Sequence, residues 1–526
     1  MRTKIIRRRT AVWMSMLSMA ALVSTACSGG GGNAAGSAGE VDPNGVLKYG
    51  YYLNVTGGIH FDPASSLSPG DMRRMPLVFG SLMQEQPNGS YQPWMTQNVA
   101  VVDSKTVKIT LRPGITFTDG SAYDANAVRT SLLRTRFKPA SAAVTAGLDP
   151  GMKALSSVDV SDPLTATAHL DQPIAGEFIA AMAGRGGVIV SPKQVAEHPD
   201  QIDTHPVGAG PYALVEDNPG QLLSFRKNAA FWDAANWKLG GIDIVNAPAG
   251  AQEANGLLAG NLDFAADVPV DSTSALKGGN FRTTPITAGF FDILYMNDAK
   301  PPLDNEAVRQ AVQVAIDRSA YDKITYGGQG KPAVGYYPDG SPNLDPGLKN
   351  TVAYDPAKAQ QILAAAGVKN VTVDLYYTAQ LNLTQQAQVL QAQLAKVGIT
   401  ANLISSNESA GLVSRHTPGI LLSRSTLTGL AVYTAQYAAG GGGNMSGTEK
   451  PEVLNPVYQA SALAPDDPRS AADFQQAGRA IAQHAYNIPV DFAPVIAAWN
   501  SSKVGGQPQF GGNTGYLQFN SIYLKK

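Results

Sequence analysis

Residues 107–132 read VKITLRPGITFTDGSAYDANAVRTSL, and the order of patterns within them sets the fold class. Val107, Ile109 and Leu111 alternate with Lys108, Thr110 and Arg112, the period of two expected of a strand with one buried face. Asp119-Gly120 then supplies a turn. Asp124 stands where a helix cap is needed, ahead of Val128 and Leu132 on one helical face. Working outward, the same units return. Val371, Val373 and Leu375 repeat the strand period, and Asp304 is placed to cap a helix whose Val308, Ala311, Val312, Ala315 and Ile316 form one stripe. Asp355-Pro356 has the cap-then-proline pattern, Ile362, Leu363 and Ala366 give its stripe, and Gly367 is suited to a left-handed stop. A further helix runs through Ala387, Leu390 and Leu394 and ends at Gly398. Strands alternating with helices predict an α/β fold rather than a sandwich or bundle. No repeat of solenoid period occurs, and the run Gly440 to Gly443 reads as a loop.

At 526 residues the chain is longer than one hydrophobic core supports, so two or three lobes are expected. A net charge of −1 gives no electrostatic reason to bind nucleic acid or acidic lipid. Charged residues make up only 15%, against about a quarter in average proteins. With 54 glycines and 34 prolines, that implies many turns and a neutral polar surface, as suits an extracellular protein.

The N-terminus resembles an export signal. Arg2, Lys4, Arg7, Arg8 and Arg9 precede an uncharged run from Ala11 to Ala26, shorter than the roughly 20 residues a bilayer span needs. Cys27 is the only cysteine, so it forms no disulfide within the chain. The stretch Val23-Ser24-Thr25-Ala26-Cys27 resembles a bacterial lipobox, with Ser24 where that pattern has an aliphatic residue. The expectation is a signal peptide over 1–27 and a lipid on Cys27. Residues 28–45, rich in Gly, Ser, Ala and Asn, read as a flexible tether, with the folded body starting near Val46.

The search for catalytic motifs returns little. No H-E-x-x-H, G-x-S-x-G, Cys/His zinc spacing or Walker A pattern is present. Ser274 to Lys277 matches S-x-x-K but without its companion motifs. Gly327-Gly328-Gln329-Gly330-Lys331 is followed by Pro332 where a phosphate loop needs Ser or Thr, so it reads as a loop. The histidines His60, His169, His198, His205, His416 and His484 are scattered. No catalytic residue, metal site or cofactor is expected.

Five blocks in order carry a family resemblance. They are Lys108 to Gly120; Val207-Gly208-Ala209-Gly210-Pro211-Tyr212; Val308-Arg309-Gln310-Ala311 through Ala315-Ile316-Asp317-Arg318; Tyr354 to Ala359 with Ala366-Gly367; and Gln391 to Leu394 with Gly398-Ile399. Together they resemble the extracellular solute-binding proteins of family 5, the dipeptide, oligopeptide and nickel binders of ABC importers. Most of these residues are caps, turn formers and core positions, so they identify scaffold rather than ligand contacts. The resemblance implies a type II periplasmic-binding-protein-like fold, two hinged lobes plus an inserted domain. Domain I would combine 46–65, 190–295 and 490–526, domain II would be 66–189, and domain III 296–489. The ligand would lie at the hinge. The implied partners are a small solute or short peptide, ABC permease subunits and, through the lipid, the cell membrane, with a monomeric chain outside the cytoplasm.

Two segments are the implied ligand contacts. One is the loop Gly57-Gly58-Ile59 before Asp62-Pro63, where paired glycines allow close backbone approach or simply make a turn. The other is Arg424-Ser425-Thr426-Leu427-Thr428, where a guanidinium offers a fork to a carboxylate or lies on the surface. Peptide binders of the family carry an aspartate near the position of Leu430 for the peptide's amino group. Here no Asp or Glu occurs from Ala410 to Thr448, and an unpaired buried ammonium costs several kcal/mol. Oligopeptide is therefore weighed against oligosaccharide, nickel or a metal chelate on the same scaffold. Trp94, Trp232 and Trp237 would serve sugar stacking or the core. A secreted cell-surface hydrolase is the reading from another class.

Overall fold

A computed structural model of the chain describes residues 39–53, 59–66, 69–247, 251–286, 290–378, 381–425 and 429–526. The opening stretch folds as its pattern dictates. Val107, Ile109 and Leu111 are fully buried in the strand Thr106–Leu111. Asp124 caps the helix Ala125–Phe137, accepting from the Ala127 N–H at 2.9 Å, and Val128 and Leu132 are buried beneath it.

The downstream helices follow, with two adjustments. Val308, Ala311, Val312, Ala315 and Ile316 are all buried, each large aliphatic side chain contributing about 1.5–3 kcal/mol. The cap of the helix Glu306–Ala315 is Asn305, not Asp304, because the Asn305 side chain accepts from the Ala307 N–H at 2.9 Å. The Asp304 N–H instead bonds back to the Lys300 carbonyl, one turn upstream. Asp355 caps Pro356–Ala365 as expected, but Ala366 is exposed and the buried stripe is Ala359 and Leu363 with Ile362 half-buried. Gly367 and Gly398 end their helices at φ of +66° and +83°, which favours glycine.

The strands form three larger sheets and two small pairs. In the seven-stranded sheet, Val46–Tyr51 is central and pairs in parallel with Gly241–Asn246 and Phe264–Val268. Leu222–Lys227 and Tyr212–Asn218 extend one side of it, and Val495–Asn500 and Phe281–Ile286 the other, all antiparallel. In the six-stranded sheet, Val371–Thr378 pairs in parallel with Ile399–Ser406 and Ile420–Ser425. Phe291–Met296 joins Ile420–Ser425 to Asn487–Phe492, both antiparallel. The third sheet is antiparallel and drawn from residues 96–170, in the spatial order Thr96–Asp103, Thr106–Leu111, Thr165–Leu170, Leu155–Asp162.

The chain crosses between the two large sheets twice, side by side. Phe281–Ile286 lies in the first and Phe291–Met296 in the second; Asn487–Phe492 lies in the second and Val495–Asn500 in the first, with only Ala493 and Pro494 between. Ile286 pairs with Val495 on one side of the crossing and Asp292 with Asp491 on the other. A double-stranded connection with so few residues to absorb φ and ψ changes is hinge-like.

Close packing explains one motif. A Cβ on Gly208 or Gly210 would run into the backbone at Val78–Gly80, so this block seats its segment against the helix Met75–Phe79. Residues 39–45, the end of the stretch read as tether, run beside the C-terminus, where Val41 bridges Lys525 and the Asp42 N–H bonds the Leu524 carbonyl at 2.8 Å.

Candidate ligand-binding cleft

In open α/β sheets a ligand settles outside the carboxyl ends of the parallel strands, so those edges are where side chains matter. On the seven-stranded sheet the edge is formed by Tyr51 and Asp267. Arg73, from the turn Pro69–Arg73, reaches Asp267 at 3.1 Å. It lies over the rings of Tyr51 and Tyr516, 4.7 and 5.4 Å from their centroids. Beside them Glu253, on the helix Ala251–Leu258, is 1% exposed. Neither of its oxygens has a well-formed hydrogen bond among the described residues. Burial first, and the Asp267 charge second, push its carboxyl up to about 9.

On the six-stranded sheet the edge is built around Arg424. Its Nε donates to Asp292 Oδ1 at 2.9 Å and its Nη2 to the Tyr326 hydroxyl at 2.8 Å. The Tyr321 and Tyr326 hydroxyls both donate to Asp292 Oδ2, so this fully buried carboxylate is satisfied on both oxygens. Burial works against the Arg424 charge, but Asp292 and Tyr326 outweigh it and hold the guanidinium protonated. Ser425 is buried, and its hydroxyl accepts from the Gln436 side chain at 3.1 Å.

Of the residues singled out in the sequence, Arg424 thus sits at a strand edge but with two of its nitrogens committed inside the protein. Thr426, Leu427, Thr428, Gly57, Gly58 and Cys27 lie outside the described residues. Ile59 is half-buried. The N–H groups that follow it, on His60, Phe61 and Asp62, are taken by the carboxylates of Asp71 and Asp203. Trp94 and Trp237 stack on each other at 5.9 Å in the core. Trp232 is exposed under the Arg112 guanidinium. Ser274 and Lys277 are exposed on a surface turn, the Ser274 hydroxyl donating to the Asp271 carbonyl.

The residues that sequence reasoning missed are mainly acids. The segment near Leu430 has no acid of its own, yet Glu177 of the helix Ala175–Ala181 delivers one. Its Oε1 accepts from the Leu430 N–H at 2.9 Å and from the Ser461 hydroxyl at 3.3 Å. Burial pushes it up to about 7. Asp292 and Asp491 carried a readable signal, since Asp292 interrupts the otherwise apolar strand Phe291–Met296 and Asp491 breaks the apolar run Ile488 to Val490 of the strand Asn487–Phe492. A recess of about 150 Å³ lies between the hairpin turn Pro87-Asn88, the loop Pro338–Ser341 and Gly512-Asn513. Among the described residues no three His, Cys, Asp or Glu side chains are placed to hold a metal ion. No described helix is long and apolar enough to cross a membrane.

Comparison with known proteins agrees with this architecture. The family model for bacterial extracellular solute-binding proteins, family 5 Middle, matches residues 90–446. The glutathione-binding protein GsiB of Pectobacterium atrosepticum is 27% identical over 367 residues, covering 69% of this chain and 68% of the relative. For the Salmonella paratyphi A counterpart, 30% identical, the chain spans 58% of the relative's length. Among solved structures, the murein tripeptide-binding protein MppA in its unliganded open form superposes with a TM-score of 0.79 at 18% identity, covering 93% of this chain and 99% of that one. The protein NikA of Brucella suis, in complex with Fe(III)-EDTA, gives 0.74 at 19% identity, covering 91% and 99%. With its paired sheets, double crossing and this match over most of its length, the chain has the type II binding-protein fold and belongs to the bacterial extracellular solute-binding proteins of family 5, the solute-capturing components of ABC importers.

Proposed function

We propose that this chain captures a short peptide or peptide-like solute between its two large sheets, closes on it by bending at the double crossing, and hands it unchanged to the permease subunits of an importer. The observation that carries this reading is the pair of strand edges, each furnished with an arginine, on either side of a connection only a few residues long. The name of the Pectobacterium relative, a binder of the tripeptide glutathione, supports the peptide class. The NikA complex with Fe(III)-EDTA supports a second reading, an anionic metal chelate held through arginines rather than through metal ligands of the protein. Three lobes act in this scheme, the connections at 286–291 and 492–495 being the hinge. Because Phe291–Met296 and Asn487–Phe492 both lie in the six-stranded sheet, the third lobe takes in 291–492 rather than 296–489, and the first 46–65, 190–286 and 495–526, with 66–189 the second. Membership of the strands in three separate sheets supports a division into three lobes. Cys27 carries the lipid that keeps the monomeric protein at the outer face of the cell membrane.

The test is a thermal-shift screen of the body from Gly39 onward against di- and tripeptides, oligosaccharides and metal chelates. A cleft ligand raises the melting temperature by mass action, by about 2.7 kcal/mol of stabilisation at a hundredfold excess over Kd. Stabilisation by sugars alone would overturn the peptide reading, and turnover of the bound solute would overturn binding without chemistry. Intact-mass analysis of the membrane form, with Cys27→Ser as control, tests the lipid.

A further inference from the structure

One buried cation has no acid to answer it. Arg318 opens the helix Arg318–Thr325 and is 6% exposed. Its Nε donates to the Ala333 carbonyl at 2.9 Å and to the Pro489 carbonyl at 3.1 Å, and its Nη1 to the Val352 carbonyl at 3.0 Å. Pro489 lies on the strand Asn487–Phe492, which leads into the crossing, while Ala333 and Val352 lie on the stretch between the helices Arg318–Thr325 and Pro356–Ala365. The guanidinium thus staples that stretch to the hinge strand. Two other arginines are buried to this degree among the described residues, and each has a carboxylate within ion-pair distance. Arg74 lies against Asp71, and Arg309 is 3.8 Å from Glu306. Arg318 meets carbonyl oxygens alone, and its Nη2 has no hydrogen-bond partner among the described residues.

There is space beside it for a guest. Arg318 lines a cavity of about 10 Å³ together with Gln313, Tyr336, Gly478, Ala482 and Asn487, room for about one water-sized occupant. That is too little for a peptide, a sugar or a phosphate. Three carbonyl dipoles compensate a buried guanidinium only in part, and burial, with no charge acting against it, pushes Arg318 down to about 10. A guanidinium carries five N–H groups, and those of Nη2 are left to donate. A monatomic anion would accept from them and also return the missing opposite charge, which makes the bond charge-assisted on both sides. A water would accept but bring no charge.

We propose that Arg318 and its cavity form a binding site for a small monovalent anion, a halide of the size of chloride. The bound ion neutralises the staple and so strengthens the join between the hinge strand and the stretch 331–352. The site is separate from the two strand edges at Arg73 and Arg424, and it stands whichever solute those edges receive.

The experiment follows the melting of the body from Gly39 onward, one compact unit, in sodium chloride, sodium bromide and sodium gluconate at equal ionic strength. Gluconate is too large for the cavity, so it reproduces the screening of the other salts without filling the site. The expected result is a melting temperature that rises and saturates with chloride and with bromide, by about 1–2 °C over gluconate at a tenfold excess over Kd. Arg318→Gln should abolish that difference. Crystals grown in sodium bromide should show an anomalous-scattering peak beside Arg318 Nη2. Equal melting in chloride and gluconate, a rise that does not saturate, a difference that survives Arg318→Gln, or no bromide peak beside Arg318 overturns the site. If Arg318→Gln does not fold, because three carbonyls lose their donor at once, the wild-type salt series and the bromide peak decide by themselves.

Discussion

The Arg73–Asp267 pair of the seven-stranded sheet and the Arg424–Asp292 pair of the six-stranded sheet are built from the same residues and surrounded differently. Arg73 is held mainly by ring faces, and the Asp267 side chain is 25% exposed. Arg424 is held by oxygen acceptors, and Asp292 has no exposure at all. Each pair has a buried acid beside it, Glu253 and Asp491, but these also differ. Glu253 projects from a helix on a long side chain, whereas Asp491 is locked to Asp292 by strand register. A charge near solvent can recover hydration when its partner is lost; one fixed in a sheet interior cannot. The same ion pair is therefore peripheral in one sheet and structural in the other.

The largest expected effect is that of Arg424→Ala, which leaves Asp292 buried without its cation. It should cost about 3–5 kcal/mol, read as a lower urea midpoint with unchanged slope. Arg73→Ala should cost about 1–3 kcal/mol, and a loss as large as that of Arg424→Ala would break the comparison.

Next comes pH. Asp491 and Glu253 both titrate near 9 when folded, against about 4 in an unfolded chain. The folded protein thus binds more protons than the unfolded one between these values, and stability falls as pH rises from about 4 to 9. Asp491→Asn and Glu253→Gln should each flatten part of that slope in urea titrations at pH 6 and 9. A slope unaffected by either would show that both acids find donors in solution.

Glu177 is the control, a half-buried acid with donors. With its carboxyl at about 7, its contribution is lost as pH passes through 7. Glu177→Gln, which keeps an oxygen for the Leu430 N–H, should change stability by at most about 1 kcal/mol at pH 6. A larger loss would mean that the anion, rather than the hydrogen bond, ties this helix to Leu430.

Much of the scaffold was legible in advance. The alternation at Val107 to Leu111, the caps at Asp124 and Asp355 and the glycine stops at 367 and 398 involve residues within a turn or two of one another. The Asp304 expectation missed by one residue because two adjacent cap-competent side chains present the same local pattern, and only the geometry of the Ala307 N–H separates them. The cleft was less legible. Arg424 could be singled out for its chemistry, but its commitment to Asp292, 132 positions away, could not.

What the sequence by itself determined is the set of periods, caps and stops that make α/β units, and the ordered blocks that mark the family, because these depend on neighbours close along the chain. The cross-strand row that sets Arg424, Asp292 and Asp491 side by side, and the delivery of Glu177 to Leu430, were decided only by tertiary structure. Register between distant strands follows from packing two whole sheets around their cores, and no local pattern of residues encodes which buried charge will end up facing which.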